Sequence, residues 1–238
     1  MKILALSDEE CPALWEYYTP GRLDGYDLIL ACGDLNANYL SFIVTMARCP
    51  VLYVAGNHDV RYQMNPPQGC DPIDDHFVVY NGIRIIGLGG CRRYHPGPYQ
   101  YTEAQMRKRI RKLRWQLWRN KGVDIVVTHA APAGLGDAED PAHWGFEALT
   151  NLLDKYHPQY LVHGHVHITY GHNVPREIDY NGTKVINAYE RYTFEIPDRK
   201  FPLKEYGQVL YKTWYHPDYL EEEYTVSGRL NYVYGIFP

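Results

Sequence analysis

Two periodicities of apolar and polar positions alternate along this chain. Short, strongly apolar and partly β-branched runs occur at 2–7, 26–32, 50–55, 123–128 and 160–163. Continuous apolar runs of that length predict buried strands. Helical spacing lies between them. Leu40, Ile43, Val44 and Ala47 recur at i, i+3, i+4 and i+7, which predicts a helix over 38–48. Residues 11–20 read as an imperfect helix that Pro20-Gly21 ends. Thr102 is placed to cap a long basic helix reaching about Lys121, with Met106, Ile110, Leu113 and Leu117 as its buried stripe. A further helix is predicted over 145–156. Residues 76–87 read as a hairpin turned at Asn81-Gly82, a pair suited to the positive φ angles of a type I′ turn. Residues 168–171 and 183–188, the latter behind Asn181-Gly182, read as closing antiparallel strands.

The residues at the end of each apolar run carry the chemistry. The first runs into Asp8 with Glu10 close behind, the second into Gly33-Asp34, and the third into Gly56-Asn57-His58-Asp59. The later two run into His129 and into Gly164-His165-Val166-His167. Asp, Asn and His are ligand types for a divalent cation, and open α/β sheets bind ligands at the carboxyl ends of their strands. Five such ends predict one shared metal site. Asn57 offers an amide oxygen, His58 an imidazole for metal binding or proton transfer, and Asp59 a carboxylate able to orient that imidazole. His165 and His167 are two apart and share a face of an extended segment. His163, inside its strand, reads as core packing, and His172 is left unassigned. The loop 60–75 is too polar for a core and is expected over the site. The loop 89–101 contains Arg92 and Arg93, whose guanidinium groups are candidates for gripping a substrate phosphate.

Asp8, Gly33-Asp34, Gly56-Asn57-His58-Asp59, His129 and Gly164-His165-Val166-His167 together resemble the signature of the calcineurin-like metallophosphoesterases. The blocks stand in the family's order between residues 8 and 167, about two-thirds of the chain. The resemblance implies an α/β fold, specifically a four-layer α/β/β/α sandwich. It also implies hydrolysis of a phosphomonoester or phosphodiester with two divalent cations. It assigns Asp34 as the bridging ligand, Asp8, residue 10 and His167 to one cation, and Asn57, His129 and His165 to the other. His58 takes the general-acid position, with Asp59 keeping its ring oriented. One position departs: the family's first block is usually Asp-x-His, and here Glu10 stands in place of the histidine. A carboxylate there favours Mn²⁺ over Zn²⁺, with Fe, Mg and Ni as further alternatives. Two other readings stand beside this one. One is a nucleotide phosphodiesterase or nuclease on the same site, and the other a catalytically silent scaffold with the same fold.

Composition narrows the partners. A length of 238 residues with 45% hydrophobic and 22% charged content suits one large α/β domain, expected over 1–190. Nine of the 23 tyrosines fall in 189–238, so 191–238 is expected to be a Tyr-rich extension packed on that domain, with a homo-oligomer contact there. A net charge of −4 disfavours duplex nucleic acid and leaves a small phosphorylated substrate or nucleotide as the expected ligand. The basic run of the long helix reads as a solvated face. The five cysteines, Cys11, Cys32, Cys49, Cys70 and Cys91, suggest no closed disulfide set. With no signal-peptide core and no apolar run near the ~20 residues of a membrane span, the expectation is a cytoplasmic protein without a membrane partner.

Overall fold

The computed structural model describes residues 1–170, 174–197 and 230–232. Strands β1 (Lys2–Ser7), β2 (Leu28–Ala31), β3 (Val51–Tyr53) and β4 (Asp71–Pro72) run parallel, in that order, in a first sheet. A second sheet contains β5 (Phe77–Tyr80), β6 (Ile83–Leu88), β9 (Ile125–Thr128), β10 (Tyr160–His163), β11 (Glu177–Tyr180) and β12 (Thr183–Asn187). Within it β6, β9, β10 and β12 are parallel, and β5 and β11 pair antiparallel at its flanks. Two-residue strands β7 (Cys91–Arg92) and β8 (Gln100–Tyr101) pair with one another in the 89–101 loop. β13 (Glu190–Glu195) adds antiparallel to β1, and β14 (Leu230–Tyr232) antiparallel to β5. The remainder of the Tyr-rich stretch and His172 lie outside the described residues.

Three apolar layers make this a four-layer α/β/β/α sandwich. Alternation along each strand sends Ile3, Ala5, Leu28, Leu30 and Leu52 toward Val78, Ile85, Ile125, Val127 and Val162, filling the space between the sheets. The opposite faces of the first sheet, Leu4, Leu6, Ile29 and Val51, pack on Tyr39, Leu40 and Ile43 of α1 (Ala37–Met46). The outer face of the second sheet, with Ile86, Leu88 and Val126, packs on Met106, Leu117, Leu149 and Leu153. Those residues come from α2 (Glu103–Lys112), α3 (Arg114–Arg119) and α4 (Glu147–Tyr156). Because inter-sheet strands are covered on both faces, they read as unbroken apolar runs.

Both Asn-Gly turns form as their chemistry requires, with φ of +48° and +79° at Asn81-Gly82 and +49° and +82° at Asn181-Gly182. Four local expectations are corrected. Residues 11–20 hold only a 3₁₀ turn at Pro12–Leu14. The long basic helix divides where the Leu113 amide bonds Ile110, an i→i−3 tightening, although Thr102 does close a capping box with Gln105. Residues 71–72, within the expected loop, join the edge of the first sheet, a place where Pro72 can sit without a missing donor being felt. Ile168–Tyr170 is a 3₁₀ turn rather than a strand. All five cysteines are free thiols. Among the described residues, no helix is long and apolar enough to cross a membrane.

Candidate metal centre

The two sheets meet at the carboxyl ends of β1, β2, β3, β9 and β10, and the backbone there leaves its ordinary conformations. Asp8, Asp34 and His165 adopt φ of +66°, +56° and +67°, the left-handed region that side chains disfavour. Each is held by bonds across the junction. Both Asp8 carboxylate oxygens accept the His165 N–H at 2.9 Å, tying β1 to β10. Asp34 Oδ1 accepts the His58 N–H at 2.8 Å. The chains approach so closely that a Cβ on Gly164 would stand 1.8 Å from Ser7 Oγ and 2.3 Å from Asp8 Oδ2. A Cβ on Gly56 would stand 2.1 Å from Asp34 Oδ1, so this glycine serves close approach rather than an unusual φ.

Asp34, His129 and His165 each present one ligand atom, all within 4.8 Å of one another. The fully buried His129 directs Nδ1 to the Cys32 carbonyl at 2.7 Å, which assigns the proton to Nδ1 and turns Nε2 toward Asp34 Oδ2 at 3.2 Å and Asn57 Oδ1 at 2.9 Å. His165 Nε2 lies 2.7 Å from the Ala142 carbonyl, leaving Nδ1 as its ligating nitrogen. Asp8 and His167 stand beside this trio, Nε2 to Oδ1 at 3.8 Å. Asp8, Asp34, Asn57, His165 and His167 line a cavity of about 410 Å³ together with His58, Tyr94, Ala142 and His143, and His129 lies enclosed behind that wall.

Charge is balanced within the cluster. Burial pushes the Asp34 carboxyl up, but the charge and hydrogen bond of His129 overcome it and hold it at about 2. Burial works against a charged His129 as well, and Asp34 with Asp8 raises it to about 10. Burial, then the neighbouring His129 charge, lowers His165 to about 3, so it is the neutral imidazole a metal requires. Asp34 and His129 thus hold a proton where a cation would take its place. An anionic carboxylate, two imidazoles with second nitrogens tied to carbonyls, and a convergent amide oxygen fit a divalent cation.

The structure brings Asp8, Asp34, Asn57, His58, His129, His165 and His167 to one place, while four expected participants stand elsewhere. Glu10 Oε1 accepts the Asn36 backbone N–H at 2.9 Å, at the start of α1, and does not line the cavity. Asp59 Oδ2 accepts the Gly56 N–H at 2.7 Å and the Asp34 N–H at 2.8 Å, so its carboxylate braces the backbone instead of the His58 ring. Arg92 reaches the Gly145 carbonyl and lies over the Trp144 ring, and Arg93 reaches Gln105 and the Gln100 carbonyl. Those partners draw both guanidinium groups off the cavity wall. The loop 60–75 contributes nothing to that wall either. Tyr94 and His143 do, and sequence reasoning missed them. His143 Nδ1 is 2.8 Å from Asp140 and its ring lies 4.9 Å from that of His165. The signal was the length of the segment between His129 and α4, since long irregular connections are frequently functional. His163 is buried away from the cavity, as its place in the strand implied.

The sequence profile of calcineurin-like phosphoesterases matches residues 1–169, well over half of the chain. The chain belongs to the calcineurin-like phosphoesterase family. UPF0046 protein K07C11.7 of Caenorhabditis elegans is 24% identical over 176 residues, 61% of this chain and 58% of that protein, so the chain spans less than two-thirds of this curated relative. The crystal structure of TT1561 of Thermus thermophilus superposes with a TM-score of 0.55 at 16% identity, covering 79% of this chain and 89% of that one. GAP50, the anchor in the inner membrane complex of Plasmodium, gives 0.51 at 14% identity over 79% and 70%. At such identities these two structures show the shared fold alone.

Proposed function

We propose that this calcineurin-like phosphoesterase hydrolyses a phosphomonoester or phosphodiester with two divalent cations; the preference for Mn²⁺ that a Glu10 ligand would give loses its basis, since Glu10 is held by Asn36. The convergence of Asp34, His129 and His165 within 4.8 Å, beside a cavity that Asp34, His165, Asp8 and His167 line, carries this reading. Asn57, His129 and His165 would hold one cation, Asp8 and His167 the other, with Asp34 between them. Bound cations would neutralise the phosphoryl oxygens and supply an activated water. The chain's own groups do the rest. Asp34, held at about 2, stays anionic across the working range. The side chain of His58 is 76% exposed at the cavity mouth, with Nε2 4.0 Å from Asp34 Oδ2. There it can pass a proton to the departing ester oxygen. Tyr94, whose hydroxyl accepts from Asn57 Nδ2 at 3.4 Å, forms the wall beside the incoming ester.

A binding scaffold without turnover is the second reading, and one observation favours it. Glu10 is engaged by Asn36, which leaves the Asp8 side of the cavity with fewer donors than the family pattern provides. Turnover of p-nitrophenyl phosphate and bis-p-nitrophenyl phosphate with added Mn²⁺ decides between the two. Activity on either, abolished by Asp34→Asn, supports the hydrolase, and its ratio reports monoester against diester preference. No turnover of either with metal bound supports the scaffold.

A further inference from the structure

The outer surface of α2 and α3 carries a pattern that the metal centre does not use. Between Glu103 and Asp124 there is no acidic residue, in a chain whose net charge is −4. Arg107, Arg111, Arg114 and Trp118 follow one another at i, i+4, i+7 and i+11, forming one exposed ridge. Lys108, Lys112, Trp115 and Arg119 repeat that spacing one position on, forming a second exposed ridge beside it. Arg109, on the inner side, is instead consumed by Asp74 and Asp75, and of the ridge cations Arg107 stands 3.8 Å from Glu103. Trp118 is 77% exposed and Trp115 52%. Indole is among the largest apolar bodies a chain can bury, so two left in water at the same end of a cationic ridge mark a contact surface. Beside the first ridge, a groove of about 460 Å³ between α2 and α4 is lined by Arg107, Arg111, Arg114 and Lys155 over Ile110 and Leu152, with no carboxylate in its wall.

We propose that the α2–α3 face docks peripherally on a membrane containing anionic lipid. Tryptophan settles at the headgroup level of a bilayer, and clustered Lys and Arg are drawn to anionic headgroups. The groove suits one such headgroup, with four cations around its rim and an apolar floor below. A duplex nucleic acid would use the charge but has no place for two indoles on a convex face, since its bases are enclosed. Docking here lies on the helical layer outside the second sheet and leaves the mouth of the metal cavity open to solvent.

Sedimentation of the full chain with phosphatidylcholine vesicles, with and without phosphatidylserine, tests this. The expected result is partition onto the phosphatidylserine vesicles only, weakening as salt rises, with a blue shift of tryptophan emission. Arg111→Gln with Arg114→Gln is expected to lower partition roughly 25-fold, about fivefold per charge removed. Trp115→Ser with Trp118→Ser should lower it as well and abolish the blue shift. All four side chains are exposed, so unchanged melting confirms intact folding; if one pair unfolds, Lys108→Gln with Lys112→Gln takes its place. Absence of partition onto anionic vesicles, or equal partition by these variants, overturns the proposal. So does tighter binding of a single-stranded oligonucleotide that the same variants lose, which would assign the face to nucleic acid.

Discussion

Replacing Asp59 separates two roles for one carboxylate. The family resemblance makes it the partner of the His58 ring, whereas its observed hydrogen bonds brace the backbone around Asp34. Asp59 is 5% exposed, and its Oδ2 accepts the Gly56 amide at 2.7 Å and the Asp34 amide at 2.8 Å. Asp34 needs that brace because its φ is +56°, a conformation held only where the surroundings over-determine it. Asp59→Ala would leave two amides without an acceptor, at about 1–3 kcal/mol each, or roughly 2–6 kcal/mol together. For a domain of this size 1 kcal/mol moves the melting midpoint by about 2–4 °C, so a fall of roughly 5–20 °C is expected. Metal content should fall as well, because Asp34 loses its fixed position. Asp59→Asn keeps an oxygen that can accept both amides and should recover most of the stability, because burial and the Asp34 charge already raise the Asp59 carboxyl to about 7 and so weaken any advantage of a charged acceptor. Thermal melting and metal analysis on the three proteins, beside kcat for His58→Ala, make the comparison. If Asp59→Ala melts with the wild type, keeps its metal and loses only as much kcat as His58→Ala, the bracing role is refuted and ring orientation is restored.

Other replacements discriminate among the remaining roles. His58→Ala should lower kcat about 10²–10⁴-fold with metal content intact, since its side chain is exposed and is not one of the clustered donors; loss of metal instead would make it a ligand. Glu10→Ala should leave metal stoichiometry unchanged and cost about 1 kcal/mol through the lost acceptor at Asn36, measurable by urea unfolding. Arg92→Ala and Arg93→Ala should leave KM unchanged, as neither side chain lines the cavity, and a raised KM would return them to the site. Gly164→Ala should abolish metal binding outright, because its Cβ would fall on Ser7 and Asp8; a metal-replete variant would sink that argument.

The inter-sheet strands were legible because burial on both faces removes polar residues from them, leaving Asp8, Asp34, Asn57, His129 and His165 conspicuous where each run stops. The family order then fixed the layers that Ile3, Ile85 and Ile125 fill. What was not legible depends on competition for a side chain by distant backbone. Glu10 has the right spacing from Asp8 for a ligand, but nothing local reveals that the Asn36 amide, needing an acceptor at the start of α1, will take it. Asp59 follows His58 directly, yet the turn from Gly56 to Asp59 brings its carboxylate back onto the Gly56 amide. Arg92 and Arg93 stand at the end of a strand sequence that pointed to phosphate binding, and Trp144 and Gln105, from elements further along the chain, draw them off. The division of α2 from α3 at Leu113 likewise carries no Gly or Pro to announce it.

The acids along this junction work on backbone amides. Asp8 takes the His165 amide and Asp59 those of Gly56 and Asp34. A third, Asp74, accepts Ala55 N–H at 2.9 Å and Gly89 N–H at 2.6 Å, with Arg109 donating both to it and to the Gly89 carbonyl. Asp59 closes the turn that follows β3 and reaches across to the end of β2, while Asp8 and Asp74 join the first sheet to the second. Parallel strands reach a junction with their amides and carbonyls unpaired beyond the ladder, and a buried orphan amide is costly. Carboxylates placed there remove that cost and, in the same step, fix where the neighbouring ligands stand. The left-handed turns at Asp8, Asp34 and His165 are tolerated because such bonds and the side-chain-free glycines close the junction around them. In this fold the demand for backbone satisfaction where two sheets meet gathers carboxyl groups along the junction, and of these Asp8 and Asp34 also face the cavity.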